Sequence, residues 1–251
     1  MTETLSTVKE QLDLRKYQVL DLKKYKGIDG QKAQVKFCLD FSGSMDTLFR
    51  TGKCQELLER IFPVAVAFDD DEEMEMYIFD DGIKRLPVNV NRENYKGYIQ
   101  KYIIGKYQMG GTNYAPAINK ITEDYNGAGG TSSGGSFFGG LFGKSKPKVT
   151  KSSDPAFVIF ITDGNNSDQQ QARKAIQEAS TYPIFFQFVG IGSAKFSFLE
   201  ELDTMSGRFI DNANFFQAND IANMTDTQLY SNLMNEFPSW INEAKSKSLI
   251  G

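Results

Sequence analysis

The chain has 251 residues, is 40% hydrophobic and carries a formal net charge of −4. That length suits one large α/β domain, or a domain with an extension, with enough apolar content to fill a core, while the acidic balance disfavours nonspecific nucleic-acid binding, which needs a basic face. The absence of histidine and the presence of only two cysteines exclude His-based triads, His general bases, most zinc sites and thiolate metal sites.

The pattern along the chain begins with a helix over residues 1–27, ended by Gly27 and Gly30, with Thr7 and Glu10 spaced as a capping box. Its surroundings are locally basic, eight Lys/Arg against five Asp/Glu in the first 36 residues, which reads as a solvated helix face. The first residues carry neither a basic start nor an apolar stretch, so no signal peptide is expected. Residues 1–30 are read as an N-terminal helical extension and 31–251 as the main domain. A buried strand follows over Gln34–Phe41, then a helix with Leu57, Leu58, Ile61, Phe62 and Ala65 on one stripe, which Pro63 should kink or divide. Residues Ile61–Phe68 form the longest apolar run, far short of a membrane span. Met74–Phe79 and Ile83–Leu86 read as a hairpin about Asp80-Asp81-Gly82, and residues 92–103 as a short helix.

After Gly110-Gly111 a further helix is expected, with Asn113 as N-cap and Ile118, Ile121 and Tyr125 on its buried face. Residues 126–153 are rich in Gly, Ser and Lys and read as a flexible insertion, although Phe137, Phe138, Leu141 and Phe142 are unusual in a linker. Ala156–Thr162 is a β-branched and aromatic strand. Asp168 is read as the cap of a helix bearing Ala172, Ala175, Ile176 and Ala179 at helical spacing. A strand over Ile184–Val189, a helix capped by Ser197 and Glu200, an edge strand over 208–211 and a last helix opened by Thr225 and Gln228 complete the chain. Strands alternating with helices imply an α/β, Rossmann-like doubly wound, mostly parallel sheet. Cys38 falls in a strand and Cys54 in a helix, a usage that fits a reducing compartment, so a soluble cytoplasmic protein is expected.

Three fragments carry chemistry. Asp40-Phe41-Ser42-Gly43-Ser44 closes the first strand, Gly110-Gly111-Thr112-Asn113 precedes a helix, and Ile161-Thr162-Asp163-Gly164 closes another strand. They offer hydroxyl and carboxylate oxygens at strand ends, the donor set of a hard divalent cation. Hydroxyls are neutral, so such an ion would keep uncancelled charge and attract an outside carboxylate. Other motifs carry less. Gly143-Lys144-Ser145 lacks the earlier glycine of a phosphate loop, since position 138 is Phe138. The acidic run 69–73 lacks calcium-loop spacing. Asp40 as a phosphoryl acceptor would ordinarily be accompanied by a second Asp where Ser42 stands.

Asp40, Ser42 and Ser44, then Thr112, then Asp163 resemble, in order, the metal-ion-dependent adhesion site of von Willebrand factor A domains. The wording around Asp40, the segment Phe68-Asp69-Asp70-Asp71 and the Gly-rich insertion are most similar to the bacterial A-domain proteins of tellurite-resistance clusters. The resemblance implies the Rossmann-like A-domain fold, with Ser42, Ser44 and Thr112 holding Mg²⁺ directly (Ca²⁺ or Mn²⁺ substituting). Asp40 and Asp163 would then act mainly through water and hydrogen bonds. It implies a non-enzymatic module that binds an Asp or Glu of a protein partner, with no membrane span, in a bacterial response to toxic oxyanions. A metal-dependent phosphohydrolase or phosphotransferase is the alternative, with Asp40 or Asp163 as its only candidates for base or nucleophile. A scaffold in which the metal is purely structural is a third.

Overall fold

The computed structural model describes residues 5–128, 154–164, 166–218 and 223–251. Among them six strands form one sheet: β1 Gln34–Asp40, β2 Glu75–Phe79, β3 Ile83–Arg85, β4 Ala156–Thr162, β5 Ile184–Ile191 and β6 Ala213–Ala218. The spatial order is β3-β2-β1-β4-β5-β6. All neighbours are parallel except β2 and β3, which are joined by the expected hairpin. The long parallel strands are buried almost throughout, as strands covered on both faces must be.

The helices are α1 Leu5–Tyr25, α2 Asp46–Arg50, α3 Lys53–Phe68, α4 Tyr98–Tyr102, α5 Ala115–Ala128, α6 Gln169–Ala179, α7 Ser197–Thr204, α8 Asp226–Leu233 and α9 Phe237–Ser246. They divide by face. Val35, Phe37 and Leu39 of β1 point into a core shared with α1, α3, α4, α8 and α9. Cys38 points into the opposite core, filled by α5, α6 and α7. Period-two alternation along β1 thus feeds two layers of helices, which is the doubly wound α/β architecture.

Several elements depart from the sequence expectation. Pro63 does not divide its helix: α3 runs through it to Phe68, and Phe62, Val64, Ala65 and Val66 are all buried, so core packing outweighs the lost hydrogen bond. Residues 92–97 are not helical. The Asn91 side chain accepts hydrogen bonds from the Glu93 and Asn94 amides, which makes a turn where a helix was expected. The edge strand is at 213–218 rather than 208–211. The Arg208 side chain folds back to donate to the Met205 and Asp203 carbonyls. Ser197 lies inside α7 and does not cap it, whereas the Thr225–Gln228 capping box on α8 is formed. The last helix is broken into α8 and α9. The Gly/Ser-rich stretch falls almost entirely outside the described residues, beyond the end of α5.

Helix α1 packs on the body through Leu12 and Val19. Lys23 is buried there, donating to the Gln31 and Ala67 carbonyls at 2.9 and 2.7 Å, with its ammonium 4.1 Å from the Phe68 ring centre. Burial lowers its pKa to about 8.

Phe237 anchors α9. Its ring stacks 4.5 Å from Phe157 of β4 and lies tilted 5.6 Å from Phe185 of β5. Phe237→Ala should destabilise the domain by about 3–5 kcal/mol, read by urea denaturation. Lys23 gives a pH signature. Between about pH 8 and the unfolded value of 10.5 the unfolded chain binds more protons, so this group's contribution to stability rises with pH across that window. A Lys23→Met variant should lose that rise when the urea midpoints at pH 8 and pH 10 are compared.

Candidate metal centre

The sheet places its chemistry where its topology changes direction. The chain runs outward from β1 to β2 on one side and crosses to β4 on the other, so the carboxyl ends of β1 and β4 flank the crevice where open α/β sheets bind ligands. Asp40 ends β1. Thr162 ends β4 and Asp163 follows it.

The Asp40 carboxylate is fully buried and both its oxygens are engaged. Oδ1 accepts from the Ser42 amide at 2.8 Å and Oδ2 from the Thr162 hydroxyl at 2.7 Å. Burial nevertheless pushes its pKa up to about 6, against the lowering effect of these hydrogen bonds, and the nearby Asp163 charge adds to the rise. Thr162 is held in turn by Tyr114, whose hydroxyl donates to Thr162 Oγ1 at 3.1 Å and also contacts the Gly164 carbonyl. Burial raises the Tyr114 pKa well above the ordinary phenol value, so the group stays protonated as a donor.

The loop after Asp40 makes a short 3₁₀ turn over Gly43–Met45. This turn brings Ser42 and Ser44 to one side, with their hydroxyl oxygens 3.1 Å apart. The Ser44 hydroxyl donates to Asp163 Oδ1 at 2.7 Å. These separations are hydrogen-bond distances, and they gather the two hydroxyls and one carboxylate oxygen, the donor types a hard cation takes, into one cluster. Four of the five sequence-predicted residues are thus linked by hydrogen bonds.

The fifth, Thr112, is brought in by its backbone. Gly110 bridges to Ser42 and accepts from the Gly43 amide at 3.1 Å. The Thr112 carbonyl accepts from the Ser167 amide at 2.9 Å, in the loop that follows Asp163. The two glycines are explained by the β2–β3 hairpin. A Cβ on Gly111 would come within 2.4 Å of the Asp81 carboxylate, and one on Gly110 within 2.9 Å. That close approach lets Asp81 accept from the Gly111 amide at 2.8 Å.

Sequence reasoning missed these supporting groups. Asp80-Asp81-Gly82 was legible only as a turn. Its backbone and side chains also hold the Thr112 loop, through the Asn113 amide to the Asp80 carbonyl at 2.9 Å and the Asp81 contacts above. Asn113 is not the cap of α5. Asp168, expected to cap α6, makes no side-chain cap bond there and instead accepts from the Tyr114 and Ala115 amides at the start of α5. Thr162 was visible as a hydroxyl in an otherwise apolar strand end, a signal that could have marked it as a partner of Asp40.

A family model, vWA-TerF-like, described as the vWA found in the TerF C terminus, matches residues 32–133 and 144–250. Uncharacterized protein YcbR of Bacillus subtilis (strain 168) is 33% identical over 244 residues, covering 95% of this chain and 90% of that protein. Proximal thread matrix protein 1 from the mussel byssus superposes with a TM-score of 0.52 at 17% identity over 85% of this chain. A von Willebrand factor type A protein from Catenulispora acidiphila does so with a TM-score of 0.52 at 13% identity over 88%. The chain spans 48% and 43% of those two solved structures, and at these identities the likeness concerns the fold.

Thr162→Val keeps the shape of the strand end but removes the donor to a buried carboxylate. It should destabilise the metal-free protein by about 1–3 kcal/mol, read by thermal or urea denaturation.

Proposed function

The chain belongs to the vWA-TerF-like family, and we propose that it works as a cation-dependent protein-binding module. On this reading Ser42, Ser44 and Thr112 hold a divalent cation, with Mg²⁺ the first choice and Mn²⁺ or Ca²⁺ able to substitute. Asp40 and Asp163 orient the hydroxyls and balance part of the ion's charge. The single observation that carries the reading is that Asp40, Ser42, Ser44 and Asp163, from two strand ends distant in sequence, converge in one hydrogen-bonded cluster of oxygens at the carboxyl ends of β1 and β4; Mg²⁺ is preferred on the hardness of those oxygens.

The ion's chemistry here is attraction for an anionic oxygen. Two carboxylates near a divalent ion, one tied at both oxygens inside the protein, leave a position suited to an Asp or Glu of a protein partner. Nothing in the hydrogen bonding of Asp40 favours a nucleophile or a base, because Ser42 and Thr162 occupy its two oxygens. The match to the vWA found in the TerF C terminus, with the likeness of the motif around Asp40 to A-domain proteins of tellurite-resistance clusters, is what supports a role in a bacterial stress response. The buried free thiols of Cys38 and Cys54 support a cytoplasmic setting. Among the described residues no helix is long and apolar enough to cross a membrane. The net charge of −4 argues against a nucleic-acid partner.

Two measurements test the reading. Calorimetry with MgCl₂ should give a dissociation constant well above the nanomolar range, because the hydroxyl ligands are neutral, and Ser44→Ala should weaken it. An immobilised wild-type protein should retain a partner from a bacterial lysate in Mg²⁺ and release it in EDTA, while Ser44→Ala retains none. A partner retained equally in EDTA and by Ser44→Ala would sink the adhesion mechanism.

A further inference from the structure

The Thr112 loop and the Asp163 loop come from distant parts of the chain, yet a cation site needs their oxygens in fixed relation. Asp168 is where they are joined. Its Oδ1 accepts from the Tyr114 amide at 2.9 Å and from the Asn166 side-chain amide at 2.7 Å, and its Oδ2 accepts from the Ala115 amide at 2.7 Å. The bond from the Ser167 amide to the Thr112 carbonyl runs in the opposite direction between the same two loops. Asp168 stands at the N-cap position of α6 but gives that helix no side-chain bond. The carboxylate therefore caps the wrong helix in sequence terms and the right one for the site. Placed at the N-terminus of α5, it also sits where backbone amides favour a negative charge.

We infer that Asp168 is a positioning residue for the cation site: it fastens the loop bearing Thr112 to the loop bearing Asp163, so that the two present their oxygens as one rigid edge. The inference rests on the cation reading above and adds a residue that does not itself touch the ion. Groups hydrogen-bonded directly to metal ligands typically contribute about 10–100-fold to affinity; Asp168 acts one step further out, through the amides that position the Thr112 loop. The consequence is specific to the ion. Mg²⁺ demands near-ideal octahedral geometry at short distance, while Ca²⁺ accepts longer bonds and irregular shells. Loosening the joint must penalise Mg²⁺ more than Ca²⁺. A residue that merely stabilised the fold would alter both alike.

The test is calorimetry with MgCl₂ and with CaCl₂ on the full chain, comparing wild type, Asp168→Asn, Asn166→Ala and Thr225→Ala. Asp168→Asn removes the charge and one acceptor. It should weaken Mg²⁺ by up to about ten-fold, the lower end of what direct supporters of ligands contribute, and Ca²⁺ by clearly less, shifting the preference toward Ca²⁺. Asn166→Ala removes one tether of the same carboxylate and should shift the preference in the same direction by a smaller factor. It decides the matter if Asp168→Asn does not fold. Thr225→Ala removes the capping box of α8, which lends nothing to the site, and should lower the melting temperature with the preference unchanged. Equal losses for both ions in the Asp168 and Asn166 variants, or wild-type affinities in them, would overturn the inference and leave the cation reading standing. A wild-type protein that binds neither ion would overturn both.

Discussion

A carboxylate sealed inside the sheet governs the upper end of this fold. Asp40 has no exposed surface, and a buried charge is costly unless it is hydrogen-bonded and paired. The chain supplies two donors, the Ser42 amide and the Thr162 hydroxyl, yet burial still holds the carboxyl well above its ordinary pKa, at about 6. Much else follows from keeping that group where it is. Thr162 must sit at the end of a strand adjacent to β1. Tyr114 must reach across from the start of α5 to orient it. The loop after Asp40 must turn at once so that its own amide can return to the carboxylate. A cation beside this cluster would lower the cost of the buried charge, so the residue that burdens the metal-free fold is the one with most to gain from the ion.

Preorganisation is the second theme. Beyond the fully buried Asp40 and nearly buried Ser42, the remaining predicted ligands lie on loops, which are mobile unless tied. Here each is tied at more than one point. The first loop is bonded to Gly110 of the second, and the second to Ser167 of the third. The β2–β3 hairpin brings the Asp81 side chain against Gly111, and Asp80 and Asp81 against Gly110, so closely that a Cβ on either glycine would push the Asp81 carboxylate aside and break its bond to the Gly111 amide. The glycines are needed for contact rather than for an unusual backbone angle, which is why the Gly-Gly pair and the Asp-Asp pair have to be understood together.

The sequence made legible whatever depends on local periodicity. The buried strands β1, β4 and β5, the hairpin, and the apolar stripe of α6 follow from patterns of two or of 3.6 residues. Elements set by distant partners were not legible. Strand β6 contains Asn214, which argues against a strand until its partner is known. In the sheet its amide donates to Gln187 Oε1 at 3.1 Å while Gln187 donates back to the Asn214 carbonyl at 3.2 Å, a polar pair that satisfies itself inside the core. Helix α3 continues through Pro63 because the residues on both sides of it are buried. The site divides in the same way. Residues that offer oxygens were recognisable by type and order. Those that hold them, Thr162, Tyr114, Asp81 and Asp168, were visible only as a strand residue, a core aromatic, a turn and a cap.

Exposure across the site is graded, and the gradient has a functional sense on the proposed reading. Asp40 and Ser42 are buried, Thr112 and Asp163 are half-buried, and Gly43 and Ser44 are exposed. An ion held among them is sheltered on the side of the sheet and open on the side of the 3₁₀ turn. Asp40 is fixed on the sheet side, where the dielectric is low, and on this reading the charge that Asp40 and Asp163 leave uncancelled is felt on the open side past Ser44. A carboxylate approaching from solvent meets that field directly, without displacing any group that supports the core. On the proposed reading such a site would gain a ligand from outside without bringing the buried Asp40 to the surface.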